Sequence, residues 1–183
     1  LAMPGLSVGL QFPAAAEEAR EPIKLARQHR GTAIDLTAIL VLPAGTARVP
    51  AIVIHHGSGG VSEAREWHYA REMVKLGVAA LVIDSFTARG VQSTVRDQST
   101  VTAVDMMGDA FAALARLAAH PRIDARRIGI VGFSKGGTVA VQTALARRAA
   151  RALPEGPRFA LHVAFYPGCS SHDHQPRTTG APL

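Results

Sequence analysis

The chain has 183 residues, which is enough for one domain with a sizeable core. Hydrophobic residues make up 48% and charged residues 19% of the sequence, a balance that excludes an intrinsically disordered chain. The net charge of +6 comes from scattered basic residues, and the densest group, Arg147, Arg148 and Arg151, lies on the back of a predicted helix without interleaved aromatic residues. This pattern favours a solvated helix face over a phosphate-binding patch and argues against a nucleic-acid partner. No apolar run approaches the ~20 residues of a membrane span, so no membrane partner is expected.

The two ends of the chain predict a piece of a longer protein. The first residue is Leu1 instead of methionine, and the last four residues are typical of the entry to another strand. We expect residues 1–20 to form a separate N-terminal segment and residues 21–183 to form the globular domain. The small residues at 14–16 suit a signal-peptidase site, which would make the protein periplasmic or secreted. The competing interpretation is a first strand over residues 6–12, and the protein would then be cytoplasmic.

The first half of the chain predicts an antiparallel sheet edge followed by buried parallel strands. Residues 23–27 and 33–42 carry short apolar runs separated by a turn, which is typical of two antiparallel strands. Residues 51–54 and 78–83 are apolar throughout, as parallel inner strands are. The other predicted elements are a helix over 62–76 with Ser62 as its N-cap, a helix over 101–119, a strand over 127–133, a helix from Lys135 and a strand over 159–166.

The glycine-rich stretch HHGSGG, residues 55–60, follows the third predicted strand and favours an anion-binding loop. A tetrahedral oxyanion needs two main-chain N–H groups aimed at one point, and glycines let the backbone approach it. The predicted donor from this loop is the Ser58 N–H, with Gly57 and His56 beside the substrate. We expect His56 to shape the loop by hydrogen bonding instead of acting as a catalytic base. A phosphate loop is disfavoured, because neither G-x-x-x-x-G-K-[ST] nor G-x-G-x-x-G is present.

The pentapeptide GFSKG, residues 132–136, lies between a predicted strand and a predicted helix. A serine on such a turn is held in a strained conformation with its hydroxyl exposed, and flanking glycines avoid clashes as the helix turns back over the strand. The pattern predicts Ser134 as a nucleophile, and the Lys135 N–H as the second oxyanion donor. The competing interpretation is a tight turn with a capping serine.

Two charged residues follow the strand over 78–83, at the edge where open α/β sheets bind ligands. Arg89 is predicted to lie beside the substrate and hold a substrate carboxylate through two parallel hydrogen bonds. The alternative is that Arg89 pairs with Asp84 or a loop carbonyl and only shapes the loop, which is also the favoured role for Asp84. Residues 92–100 are expected to form a mobile polar loop over the site. Asp105 and Asp109 are expected on the polar face of the next helix or in local pairs.

The motifs HHGSGG, DSFTARG, GFSKGG and FYPGC, in this order and spacing, resemble the dienelactone hydrolase family of α/β-hydrolases from about residue 40 to the end. The alternation of strands and helices predicts the same α/β fold, a mostly parallel sheet with helices on both faces, here ending after about six strands. Better-known members carry a cysteine nucleophile and an acidic residue in the oxyanion loop. This sequence has Ser134 and Gly57 at those positions, so a general serine esterase is expected instead of activity on dienelactone itself.

The resemblance implies acyl transfer on a small ester or lactone without a cofactor. The serine would attack the carbonyl, a histidine oriented by an acid would take its proton, and water would release the acyl group. In the family both partners follow later strands, so they are expected beyond residue 183 and the present chain is expected to be inactive or weak. The alternatives are a non-catalytic ligand-binding domain of this fold and a related serine peptidase or acyltransferase.

The segment from Cys169 to residue 174 carries further candidate groups. Some α/β-hydrolases take their acid from this place in the fold, which makes Asp173 the second choice for the triad acid. His172, Asp173 and His174 are too close together to face one ion readily, so no metal is expected. Cys169 is the only cysteine, either a free thiol or the partner of a cysteine outside this sequence.

Overall fold

The structure is a computed structural model that describes residues 18–168 and 177–183. Its strands are β1 Ala19–His29, β2 Thr32–Leu42, β3 Val49–His55, β4 Ala79–Ile83, β5 Ile123–Phe133 and β6 Leu161–Phe165. Its α-helices are α1 His68–Lys75, α2 Ala103–Ala118, α3 Lys135–Thr143 and α4 Ala146–Ala152. A π-helical turn, Glu63–Trp67, leads into α1, and a short 3₁₀ helix, Thr87–Arg89, follows β4.

The strands form one sheet in the order β1-β2-β4-β3-β5-β6. β1 pairs with β2 and β2 pairs with β4 in antiparallel fashion, whereas β4, β3, β5 and β6 are parallel to one another. The mostly parallel sheet with an antiparallel edge is therefore confirmed. Because the four parallel strands run in one direction, their carboxyl ends meet at one edge of the sheet.

Helices pack on both faces of the sheet, as expected. Side chains alternate along a strand, so Val53 faces the core beneath α2 and α3, whereas Ile54 faces the core beneath α1. β4 is buried at every position, since both of its faces are covered. In the described part of the chain, no helix is long and apolar enough to cross a bilayer.

Several element bounds differ from the predicted ones. β1 is longer than residues 23–27 and begins at Ala19, because it pairs with β2 along its whole length. β5 begins at Ile123 instead of residue 127, because its start pairs with Val49 beyond an irregularity in the ladder. Pairing partners of this kind are distant in sequence, so apolar runs alone did not reveal them.

Ser62 is the N-cap residue of the π-helical turn, as predicted, but its side chain does not supply the cap. Ser62 precedes the π-helical turn in an extended conformation, but its side chain makes no capping hydrogen bond. Its main-chain N–H donates instead to the buried Glu66 carboxylate, at 2.8 Å. Glu66 also accepts from the Arg65 guanidinium at 2.7 Å, so a buried carboxylate takes the place of the serine cap.

Candidate active site

The carboxyl end of β5 turns sharply into α3 at the serine turn, residues 132–136. Ser134 has φ 53° and ψ −114°, a left-handed conformation that is unusual for a residue with a side chain. The buried Phe133 precedes it, whereas Ser134 itself is exposed. Its main-chain N–H donates to the Phe165 carbonyl at 2.9 Å, which ties the turn to the end of β6.

The glycines of the serine turn leave no room for side chains. A Cβ on Gly132 would lie 2.0 Å from the Gly136 carbonyl oxygen. A Cβ on Gly136 would lie 2.4 Å from the His55 carbonyl oxygen and 2.6 Å from that of His56. The first turn of α3 therefore packs directly against the backbone at the end of β3.

The glycine loop, residues 55–60, lies beside Ser134. A Cβ on Gly57 would be 3.4 Å from the Ser134 Cβ and 3.1 Å from the Phe133 carbonyl oxygen. The loop closes as a turn, with the Gly60 N–H donating to the Gly57 carbonyl at 3.1 Å. A side chain at position 57 would require the serine turn to shift by a few tenths of an ångström.

His56 is buried and shapes the glycine loop. Its Nε2 accepts from the Ser85 N–H at 3.1 Å, so the proton lies on Nδ1, which donates to the Gly57 carbonyl at 2.7 Å. Burial lowers the pKa of His56, which keeps the ring neutral. With both nitrogens engaged, the ring has no free site for accepting a proton from Ser134.

The Ser58 and Lys135 main-chain N–H groups lie in the two segments that meet at Gly57 and Ser134. Within residues 18–168 and 177–183, neither of them donates a hydrogen bond to another main-chain carbonyl. Main-chain N–H groups of this kind are the donors that a negatively charged oxygen needs.

Asp84 organises the segment after β4. Its Oδ1 accepts from the Phe86 and Thr87 N–H groups at 2.8 and 3.0 Å, and its Oδ2 accepts from the Thr87 hydroxyl. Burial alone would raise the pKa of Asp84, but the hydrogen bonds from Thr87 and Phe86 outweigh burial and lower it. Asp84 therefore ties the backbone at the start of the 3₁₀ helix, the role favoured from the sequence.

Arg89 does not present its guanidinium to a substrate, so that hypothesis is wrong. Its side chain is 0% exposed and forms two parallel hydrogen bonds to Asp109, at 2.8 and 2.9 Å. It also donates to the Ser85 carbonyl at 2.7 Å. The alternative of a loop-shaping arginine holds, but the acidic partner is Asp109, which also accepts from Arg27 at 3.0 Å, and not Asp84.

A buried histidine completes this polar cluster. The His55 Nε2 donates to the Met106 carbonyl at 3.1 Å, which links the end of β3 to α2. Burial, reinforced by the neighbouring His56, lowers the pKa of His55 to about 3. The buried polar cluster, which consists of Arg27, His55, Arg89 and Asp109, thus connects β1, β3 and the segment after β4 to α2. Asp109 is inside it and not on a polar helix face, whereas Asp105 forms the expected local pair with Thr102 as a capping box.

The side chain of Lys135 joins the serine turn to the tethered loop, residues 91–101. The Lys135 Nζ donates to the Thr94 hydroxyl at 3.0 Å, the Gln98 carbonyl at 3.2 Å and the Val101 carbonyl. Thr94 is fully buried. The expected mobile loop over residues 92–100 is therefore held at several points.

Aromatic side chains pack together near Ser134, with the buried Phe133 beneath the exposed Phe165 and Tyr166, an arrangement that the sequence did not reveal. Phe133 and Phe165 stack with ring centroids 5.1 Å apart, and Tyr166 is 65% exposed at the end of β6. The Arg65 guanidinium lies 5.6 Å from the centre of the Phe133 ring. Tyr166 also has a left-handed φ of 40°, so two unusual backbone positions lie at this edge. The FY pair at the end of β6 was the available signal.

A family model described as the dienelactone hydrolase family matches residues 36–182. The chain belongs to the dienelactone hydrolase family. The resemblance inferred from the motifs is thus confirmed over nearly the range expected. A Bradyrhizobium relative named "Probable 2-oxo-3-(5-oxofuran-2-ylidene)propanoate lactonase" is 29% identical over 152 residues, which cover 80% of this chain and 56% of that protein.

Solved structures with similar folds include other α/β-hydrolases. MGS-M1, an α/β-hydrolase from a deep-sea metagenome library, is 20% identical with a TM-score of 0.58, over 90% of this chain and 63% of that one. A thermophilic esterase from Thermogutta terrifontis is 22% identical with a TM-score of 0.60, over 80% of this chain and 52% of the esterase. The α/β-hydrolase fold is therefore confirmed, and the chain spans about half to two thirds of the length of these proteins.

Some predicted residues of this dienelactone hydrolase family member lie outside the described ranges. They are Cys169, His172, Asp173 and His174, together with the predicted export segment over most of residues 1–20. Among the residues that the structure does describe, no group of three or more His, Cys, Asp or Glu side chains could hold a metal ion.

Proposed function

We propose that this chain supplies the nucleophile and the oxyanion hole of a serine hydrolase that cleaves carboxylic ester or lactone bonds. The observation that carries the proposal is the strained, exposed Ser134 between β5 and α3, in contact with the glycine loop. Strain of this kind persists only where the surroundings impose it, and it is concentrated at functional sites. The relative's printed name, a lactonase, supports the lactone as one substrate class.

In the proposed reaction the Ser134 Oγ attacks the substrate carbonyl, and a histidine takes the hydroxyl proton. The carbonyl oxygen becomes an oxyanion that accepts from the Ser58 and Lys135 N–H groups. When the tetrahedral intermediate collapses, the bond to the leaving alcohol breaks and the histidine returns the proton to that alcohol. Water then attacks the acyl-serine by the same route and releases the acid.

The histidine and its acid are proposed to come from positions after residue 183, with Asp173 as the second choice for the acid. Among the described residues, His56 is fully engaged in the glycine loop and His55 is buried against α2. The aromatic surface of Phe165 and Tyr166 is proposed to contact the apolar part of the substrate.

The decisive experiment is Ser134→Ala in the complete natural protein that contains this chain. Hydrolysis of 4-nitrophenyl acetate is expected to fall to the residual rate, roughly 10³–10⁴-fold over water, that an oxyanion hole and binding retain without the triad. Labelling by a fluorophosphonate probe is expected to disappear. Thr46→Ala, which removes an exposed hydroxyl in the loop between β2 and β3, is the control and should keep both signals. Labelling that survives Ser134→Ala would exclude this nucleophile.

The position of the general base has its own test. Residues 1–183 alone are expected to turn over the same ester weakly at most, because the base is proposed to lie elsewhere. Full activity from residues 1–183 would contradict that assignment, and His172→Ala and His174→Ala would then identify the base.

A further inference from the structure

The Lys135 side chain is committed to the protein and does not point to a free site. An ammonium group has three N–H donors, and the three hydrogen bonds to Thr94, Gln98 and Val101 account for all of them. All three acceptors belong to the tethered loop. Lys135 therefore joins the first residue of α3 to a segment that lies 34 to 41 residues earlier in the chain.

The same loop also holds the glycine loop at Ser58. The Ser58 carbonyl accepts from the Thr94 N–H at 2.8 Å and from the Ser93 hydroxyl at 3.1 Å. The Ser58 hydroxyl donates to the Gln98 side-chain carbonyl at 3.0 Å. Thr94 and Gln98 thus contact Ser58 on one side and Lys135 on the other.

These contacts form a bridge between the two proposed oxyanion donors. One donor is the Ser58 N–H and the other is the Lys135 N–H, and the tethered loop connects the two residues through their other polar atoms. A hydrogen bond to a charged group is stronger than a neutral one, so the ammonium is the strongest single tie in this bridge. Without the bridge, only the packing of the two backbone turns would fix the distance between the donors.

The acceptors of Lys135 are neutral, which separates this lysine from an ordinary ion pair. Burial lowers the pKa of Lys135, while the more distant Asp105 and Asp97 carboxylates raise it. In the part of the chain that the structure describes, Lys135 makes no salt bridge. Replacing the ammonium therefore leaves no carboxylate without a partner, and its effect reports on the tether.

We propose that the Lys135 side chain is a positioning residue that, through the tethered loop, holds the Ser58 N–H in register with the Lys135 N–H. This inference rests on the proposed function, because it assigns a task to the same oxyanion donors. It adds a role for the side chain of a residue whose main chain alone was predicted to act. The Lys135 side chain is not proposed to contact the substrate.

The test compares Lys135→Met with the parent in the complete natural protein. Methionine keeps the main-chain N–H and the approximate length of the side chain but removes the donors. We expect kcat for 4-nitrophenyl acetate to fall by roughly 10-fold to 100-fold, since a misplacement of about 1 Å in a catalytic group costs up to about 10²-fold. KM is expected to change less than threefold. Amide hydrogen exchange of Thr94, whose N–H is bonded to Ser58, is expected to accelerate.

Two further variants make the result specific. Lys75→Met removes an exposed lysine paired with Glu72 and should change neither kcat nor loop exchange. Lys135→Arg keeps a cation with several donors and should recover part of kcat. Thr94→Val removes one acceptor and keeps the lysine, so it supplies a milder version if Lys135→Met lowers the melting temperature too far. The double variant should lose less than the sum of the single losses, because both residues act through one bridge.

The outcomes separate the tether from the proposed function. A parental kcat in Lys135→Met would overturn the inference, and so would a lower kcat with unchanged exchange at Thr94, which would indicate direct contact with substrate. If the parent does not hydrolyse esters and Ser134 is not labelled, the proposed function fails, and the exchange of Thr94 alone then decides whether the tether exists.

Discussion

The buried polar cluster and the tethered loop bind long basic side chains in opposite ways. In the cluster, Arg89 is 0% exposed and meets a carboxylate, Asp109, that is also 0% exposed. At the tethered loop, the half-buried Lys135 side chain donates hydrogen bonds only to a hydroxyl and two carbonyls. Both residues come after parallel strands and lie at the same edge of the sheet. The edge on which they lie therefore does not account for the difference.

The difference shows which contacts near the site are costly to disrupt and which can be changed at a smaller cost in stability. A charge buried with its counter-charge is costly to separate, so Arg89 and Asp109 fasten the segment after β4 to α2. A cation bonded to neutral acceptors near water can exchange them for water at a smaller cost. The tethered loop is therefore held firmly enough to be ordered and loosely enough to be altered by one substitution.

The largest expected effect comes from breaking the cluster. We expect Asp109→Ala to lower the free energy of unfolding by roughly 3–5 kcal/mol, because it leaves the Arg89 guanidinium buried without a counter-charge. Arg27 would also lose its partner, but it is 29% exposed and can reach water. Urea denaturation of the parent and the variant measures the loss.

Two controls sharpen that prediction. Replacing both members, as Arg89→Met with Asp109→Leu, should lose much less than Asp109→Ala alone, since no unpaired charge remains. Glu63→Ala breaks the exposed ion pair with Arg71 and should change stability by roughly 0–1 kcal/mol. If Asp109→Ala lowered the free energy of unfolding no more than Glu63→Ala does, the buried cluster would not be a major contributor to stability.

A smaller effect is expected at the contact between the serine turn and the glycine loop. Gly136→Ala would place a Cβ 2.4 Å from the His55 carbonyl oxygen, and main-chain atoms must then move apart. We expect a loss of roughly 1–3 kcal/mol in unfolding free energy, accompanied by lower kcat because Ser58 moves away from Ser134. Gly59→Ala is the matched control, because no heavy atom lies within 4 Å of its added Cβ. Equal losses in the two variants would contradict the close packing described for Gly136.

The last expected effect is a pH dependence that His55 brings to the buried cluster, and it is absent at neutral pH. The pKa of His55 is lowered to about 3 in the folded state, whereas an unfolded histidine has a pKa of about 6.5. The unfolded chain therefore takes up this proton first as the pH falls. The stability that His55 contributes is complete above pH ~6.5 and decreases towards pH 3, by about 1.4 kcal/mol for each pH unit.

Denaturation of the parent at pH 7, 6 and 5 measures this slope. His55→Gln should reduce the slope of stability against pH by the contribution of about one proton, because glutamine does not titrate. A parental slope in His55→Gln would mean that the acid sensitivity comes from other groups.

The sequence predicted the strands of the parallel sheet well, apart from the start of β5, because each is an apolar run between turn residues. It underestimated β1, since the outer part of that strand is set by pairing with β2 from Ala19↔Leu42 to His29↔Thr32 and not by hydrophobicity. It also predicted the serine turn, because the strand, the glycine-serine-glycine sequence and the helix follow one another directly, although the room that Gly136 needs is set by the distant His55 and His56 carbonyls. The tie of Asp84 to Phe86 and Thr87 is equally local and was favoured in advance.

The roles of the long basic side chains could not be predicted in this way. Arg89 stands five residues after Asp84 in the sequence, yet it pairs with Asp109, 20 residues away, and Asp109 also binds Arg27, 82 residues away. Lys135 reaches Thr94 across 41 residues. An arginine or lysine side chain is long and flexible and accepts many partners, so its neighbour depends on which elements the sheet brings together.

The sequence by itself determined where the exposed Ser134 lies, because strand, glycine, serine, glycine and helix succeed one another and the nearby Gly136 leaves no room for a side chain at Gly132. Only the tertiary structure decided that Gly57 lies against Ser134, that Arg89 is withdrawn into a buried pair and that Lys135 binds the loop over Ser58. The physical reason is distance. Backbone strain is a property of a few consecutive residues, whereas the partner of a charge is chosen among all groups that folding places within hydrogen-bond reach.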